Sequence, residues 1–270
     1  MSDAGKDQKD ELEGTEAPFV SHLIELRDRL IRSIIAIVVC FGLLALWPGT
    51  GAMYDILAAP LTANLPPGTK LIATSVFSPF MVPLKITLLV GFLVALPYVL
   101  YQVWAFVAPG LYSHEKRLVV PLVVSSTLLF FAGVAFCYFV VIPGLTKFIV
   151  AMTPASVNAA PDIEQYFGTV ITLFLVFGIA FEVPVAVVVL ARIGVISIEQ
   201  LRKWRGYFIV GSFVVAAIVT PPDVISQLAL AVPMCILYEI GILVAQAFVK
   251  KKAVVEDADS AKDTADDKAA

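Results

Sequence analysis

The chain has 270 residues, 59% of them hydrophobic and 15% charged, and its mean hydropathy is +0.90. Soluble domains run about 45–50% apolar and about 25% charged, so a water-soluble globular enzyme is excluded and a polytopic membrane protein is expected. The formal charge of −3 is segregated: residues 1–16 and 253–270 each hold six acids against two lysines, and the 15 Lys/Arg and 10 Asp/Glu between them leave a core of +5.

The acidic segments, taken as residues 1–18 and 253–270, are expected to be disordered tails around a membrane domain at 19–252. The start of the chain is acidic and polar, unlike a basic signal peptide or an Arg- and Ser-rich transit peptide. The first apolar segment should therefore remain as an anchor, in a bacterial inner membrane. Cys40, Cys137 and Cys235 each stand alone in an apolar run and read as small buried hydrophobes, not as metal ligands or a disulfide framework.

In chain order, Ser21-His22-Leu23-Ile24-Glu25-Leu26-Arg27-Asp28-Arg29-Leu30 comes first. Leu23, Leu26 and Leu30 recur at helical spacing, which predicts an amphipathic interfacial helix. Glu25 and Arg29 are four apart and read as a surface ion pair worth about 0.3–0.5 kcal/mol. Six apolar runs follow, at about Leu30–Trp47, Phe80–Tyr101, Leu118–Ile142, Gly168–Ala191, Tyr207–Val219 and Val224–Val249. They are continuous rather than alternating, which predicts helices and excludes a membrane barrel.

Twelve Lys/Arg lie on one side of these runs: Arg27, Arg29 and Arg32; Lys116 and Arg117; Arg192, Arg202, Lys203 and Arg205; Lys250, Lys251 and Lys252. The other side has Lys70 and Lys147, so both termini are expected in the cytoplasm. Tyr207–Val219 has 13 residues, about 20 Å of helix against a hydrocarbon core of about 30 Å. It stops at Thr220-Pro221-Pro222-Asp223, where two prolines end the helix and a carboxylate can cap the next. Pro83, Pro97, Pro121, Pro184 and Pro233 predict kinks within the runs.

The connection from Tyr101 to Arg117 is rich in aromatics and contains a Pro109-Gly110 turn. It reads either as an interfacial belt or as a site where Phe106 and Leu111 give apolar contact beside Glu115, suited to a ligand cationic at one point and apolar next to it. Glu182 lies within the fourth run, where a lipid-facing carboxylate is costly, and so is a functional candidate. Lys85 and Glu239 read as snorkelling residues, and Thr220, Asp223 and Gln227 as a polar cluster around the short hairpin. There is no phosphate-binding loop, and His22 and His114 form no metal or triad spacing. No enzyme, cofactor, metal or nucleic-acid partner is expected.

The segments SHLIELRDRL, YQVWAFVAPGLYSHEKR, FEVPV and SFVVAAIVTPPDVISQ together resemble TatC, the polytopic subunit of the twin-arginine protein translocase, over about Val20 to Val249. The resemblance implies an all-α membrane protein of six transmembrane helices in a concave bundle, the fifth and sixth short or incompletely spanning. It implies a receptor for twin-arginine signal peptides in a translocase driven by the proton gradient, present in several copies among membrane lipids, with TatA and TatB as partners. Glu25 and Glu115 match family carboxylates that receive the signal's arginines, with Phe106 and Leu111 beside them. Glu182, Thr220, Asp223 and Gln227 match polar positions that receive partner helices or the signal hairpin, and Pro60, Pro221 and Pro222 match positions that set shape. Six helices, internal prolines and a buried acid would also suit a small transporter or channel, although the chain shows no internal halves; a structural scaffold is a third reading.

Overall fold

The computed structural model describes residues 4–62, 71–107, 119–154, 161–220 and 224–266. Among the described residues there are ten α-helices and no strand beyond one isolated parallel bridge between Ile72 and Asp162. The first unit joins α1 (Ala4–Leu44), a π-helical turn (Ala45–Gly49) and α2 (Thr50–Thr62), and α3 (Ser78–Val107) follows. Next come α4 (Val119–Phe136), a second π turn (Cys137–Val141) and α5 (Ile142–Met152), then α6 (Ile163–Phe181) and α7 (Val183–Ile193). The chain ends with α8 (Ile198–Lys203), α9 (Arg205–Val219) and α10 (Val224–Asp266).

Five helical stretches among the described residues are long and apolar enough to cross a membrane: Val20–Ala59, Ser78–Val107, Val119–Met152, Ile163–Ile193 and Val224–Ala247. The 15 residues of α9 cover about 22 Å, so the fifth helix is short as expected. The 24-residue, mostly apolar stretch Val224–Ala247 of α10 covers about 36 Å of helix. The helical backbone of α1 begins at Ala4 and that of α10 runs to Asp266. Extending a helix that is already nucleated fixes one residue per added hydrogen bond, without the cost of a new nucleus.

Prolines mark two of the breaks, whereas α3 runs on through Pro83 and Pro97 and α10 through Pro233. Pro143 stands in the first turn of α5, where it cannot donate back, and the preceding turn widens into the π turn that begins at the buried Cys137. Pro184 does the same in α7, and the Glu182 N–H bonds back to the Ile179 carbonyl at 3.0 Å, tightening the chain at that point. The helices pack as α1 on α3, α4 on α6, and α10 on α7 and α9. Glycines allow the closest approaches: a Cβ on Gly91 would meet the backbone of Phe41, one on Gly178 the Phe130 ring, and one on Gly241 the Cα of Pro184. Phe167, Phe177, Ile86, Leu173 and Leu230 fill the main core, and Tyr238, Ile242 and Leu201 fill a second under α8.

Candidate functional site

Residues 22, 25 and 29 lie on one face of α1 because residues three and four apart stack on a helix. Glu25 Oε1 accepts two bonds from Arg29, from Nε at 2.9 Å and from Nη2 at 2.6 Å. Arg29 Nη1 donates to Gln102 Oε1 of α3 at 3.3 Å. His22 stands with Nδ1 3.9 Å from Glu25 Oε2, and its ring stacks on Phe106 with centroids 4.2 Å apart. A cavity of ≈ 300 Å³ opens beside this group, lined by Ser21, Ile24, Glu25, Asp28, Arg29 and Arg32. Glu25 and Phe106 are thus brought together at the basic end of the bundle. Leu111 and Glu115 lie outside the described residues. Sequence reasoning missed Gln102, whose one signal was a polar residue in an otherwise apolar stretch, and the stacking of His22.

Glu182 sits where α6 gives way to α7, and both its carboxylate oxygens are buried with no hydrogen bond of good geometry, although the Ser126 hydroxyl of α4 stands beside it. Ser126 is fully buried and accepts from Trp104 Nε1 of α3 at 2.9 Å. The other expected polar residues are elsewhere. Thr220 is buried at the far end of α9 with its hydroxyl on the Ala216 carbonyl at 2.7 Å, and Gln227 is half-buried in the first turns of α10. Gly241, which abuts Pro184, is 14 residues beyond Gln227, or about 21 Å along the helix. Glu182 and the hairpin residues therefore occupy different depths. Pro221, Pro222 and Asp223 lie outside the described residues, and Pro60 falls in the helical backbone of α2.

Lys85 and Glu239, read as snorkelling, each find an acid or base across a helix interface. Lys85 Nζ is 3.1 Å from Glu164 Oε1 of α6, which also accepts from Ser78 at 2.7 Å through Oε2, and Arg205 Nη2 is 2.6 Å from Glu239 Oε2. Nearby, Asp162 caps α6: its Oδ1 accepts from the N–H groups of Glu164 and Gln165, both at 2.9 Å. Its Oδ2 accepts from Thr74, at 3.1 Å from the N–H and 2.7 Å from the hydroxyl. The Gln165 N–H first, and the Thr74 hydroxyl next, hold its carboxyl below the ordinary 3.8. Among the described residues no group of His, Cys, Asp and Glu could hold a metal, and the three cysteines are free.

The family model for the Sec-independent protein translocase protein TatC matches residues 21–233. The TatC of Halothiobacillus neapolitanus is 48% identical over 236 residues, which is 87% of this chain but 64% of that protein, so the chain spans less than two thirds of it. The TatC of Escherichia coli K12 is 50% identical over 234 residues, covering 87% of this chain and 90% of that one. A crystal structure of a twin arginine translocase receptor, TatC, superposes with a TM-score of 0.73 at 43% identity, over 84% of this chain and 98% of that one. A second, in DDM, gives 0.74 at 42% identity, over 83% and 99%. These relatives are protein translocase components, which makes the chain a multi-pass transport protein rather than an enzyme. By sequence and by fold, the chain belongs to the TatC family of Sec-independent protein translocase proteins.

Proposed function

We propose that this chain is the twin-arginine signal-peptide receptor of a translocase that exports folded proteins across a bacterial inner membrane, with both termini cytoplasmic and TatA and TatB as partners. The observation that supports this most is the His22–Phe106 stack, which sets the Glu25 face of α1 against the end of α3. Glu25 and Glu115 accept the signal's two guanidiniums, because charge-assisted, planar pairing gives both strength and geometry. Phe106 and Leu111 contact the residues beside the arginine pair. The twelve basic residues of the cytoplasmic side gather anionic lipid, which draws the cationic signal to the surface.

Glu182 positions a partner helix or the inserted signal hairpin through an interhelical hydrogen bond, worth about 0.6–2 kcal/mol in a membrane. Thr220, Asp223 and Gln227 serve the same purpose at the far end, and Pro60, Pro221 and Pro222 set the shape of the turns. Several copies assemble, and the proton gradient drives transport.

The test is binding of a twin-arginine signal peptide and its double-lysine form to the full-length chain in nanodiscs. Preference for the arginine form, weakened by Glu25→Ala or Glu115→Ala, is expected. Equal binding of both forms by a folded sample, with or without TatB, would overturn the reading.

A further inference from the structure

We propose that Arg29 is an internal stand-in for a signal arginine: it fills a guanidinium slot whose acceptors are Glu25 and Gln102, and it leaves when an arginine of the signal enters. The inference rests on Glu25 being an acceptor for the signal.

The slot is built from two helices. Glu25 Oε1 takes the Nε–H and an Nη2–H of Arg29 at 2.9 and 2.6 Å, while Nη1–H reaches the Gln102 amide oxygen at 3.3 Å. Gln102 is 4% exposed, a buried amide on α3 whose oxygen is turned to this fork. One planar group therefore satisfies a carboxylate on α1 and an amide on α3 at once. A lysine ammonium is a compact point charge and does not present donors in that fixed plane.

The slot is reachable from water: the side chains of Arg29 and Glu25 are 23% and 37% exposed. It also adjoins the ≈ 300 Å³ cavity, whose other acid, Asp28, is already paired with Arg27 at 2.8 Å, so Glu25 is the carboxylate over which the two guanidiniums compete. An arginine from another chain carries the same fork as Arg29 and competes for the same oxygens. Binding is then an exchange of one guanidinium for another. The empty site keeps its carboxylate neutralised, and an incoming lysine displaces Arg29 poorly because it cannot replace both of its partners. Gln102 thereby becomes a determinant of arginine over lysine.

The experiment uses the full-length chain in nanodiscs with labelled twin-arginine and double-lysine peptides. Arg29→Gln is expected to bind the twin-arginine peptide about threefold more tightly, the scale of a lost half-exposed ion pair. It is also expected to narrow the preference over double lysine, because the competitor is gone for both. Gln102→Leu is expected to leave the arginine form nearly unchanged, because the leaving and entering guanidiniums lose the same bond, and to strengthen the lysine form, whose competitor is then held less tightly. Arg29→Lys keeps the charge and the helix and should shift affinity in the same direction by less. Unchanged or weaker twin-arginine binding in Arg29→Gln would overturn the stand-in. Glu25→Gln separates the two readings: if it leaves binding intact, the receptor reading fails; if it weakens binding while Arg29→Gln gains nothing, only the stand-in fails.

Discussion

Trp104 donates its indole N–H to Ser126 Oγ at 2.9 Å, and the serine so held stands fully buried beside the Glu182 carboxylate. Three helical units meet through these side chains, and the middle one is fully buried. Ser126→Ala leaves the indole without its partner in an apolar interior. A loss of roughly 1 kcal/mol is expected in thermal unfolding in detergent. Trp104→Phe added to Ser126→Ala should recover most of it, since removing both partners removes the unmet donor. A double variant as unstable as the single one would contradict this.

Glu182 presents the opposite case. Its carboxylate oxygens are buried without a well-formed hydrogen bond, so the fold bears their desolvation with little return. Glu182→Leu is expected to hold or raise thermal stability, by up to about 2 kcal/mol, while lowering export in cells. A fall in stability together with export would make the residue structural instead.

Asp162 supplies a dependence on pH. Its folded pKa lies below the ordinary 3.8, so the folded state favours the ionised form. The stabilisation is complete above the unfolded value and is lost as pH falls through the lower folded value. Asp162→Asn should therefore be less stable than the parent at neutral pH, and the two melting curves should converge in acid below the folded pKa. A gap that persists there would mean that the cap acts by shape and not by charge.

Gly178 governs how closely α4 and α6 approach. A side chain there meets the Phe130 ring, and Gly178→Val is expected to cost about 1–3 kcal/mol by overpacking. Gly144→Ala, with no heavy atom within 4 Å of the added carbon, is the control and should unfold as the parent does.

Much of this architecture follows from local spacing along the chain. Continuous apolar runs, the lysine and arginine bias, and the proline pair after a 13-residue run define the helices and the short fifth one before any contact is known. The Glu25–Arg29 pair is legible for the same reason, since a helix sets residues four apart on one face.

What tertiary structure alone decided is how distant segments meet. Gln102 lies 73 residues from Arg29 and Glu164 lies 79 from Lys85, so no period in the sequence connects either pair. The depth of Glu182 relative to the hairpin is likewise a matter of packing: Gly241 abuts Pro184, and the rise along α10 puts Gln227 about 21 Å from that level. Apolar burial selects which helix faces pack but carries no directional information about polar partners. Those are set by where glycines let the backbones close, at Gly91, Gly178 and Gly241, and by the depth at which each helix then comes to rest.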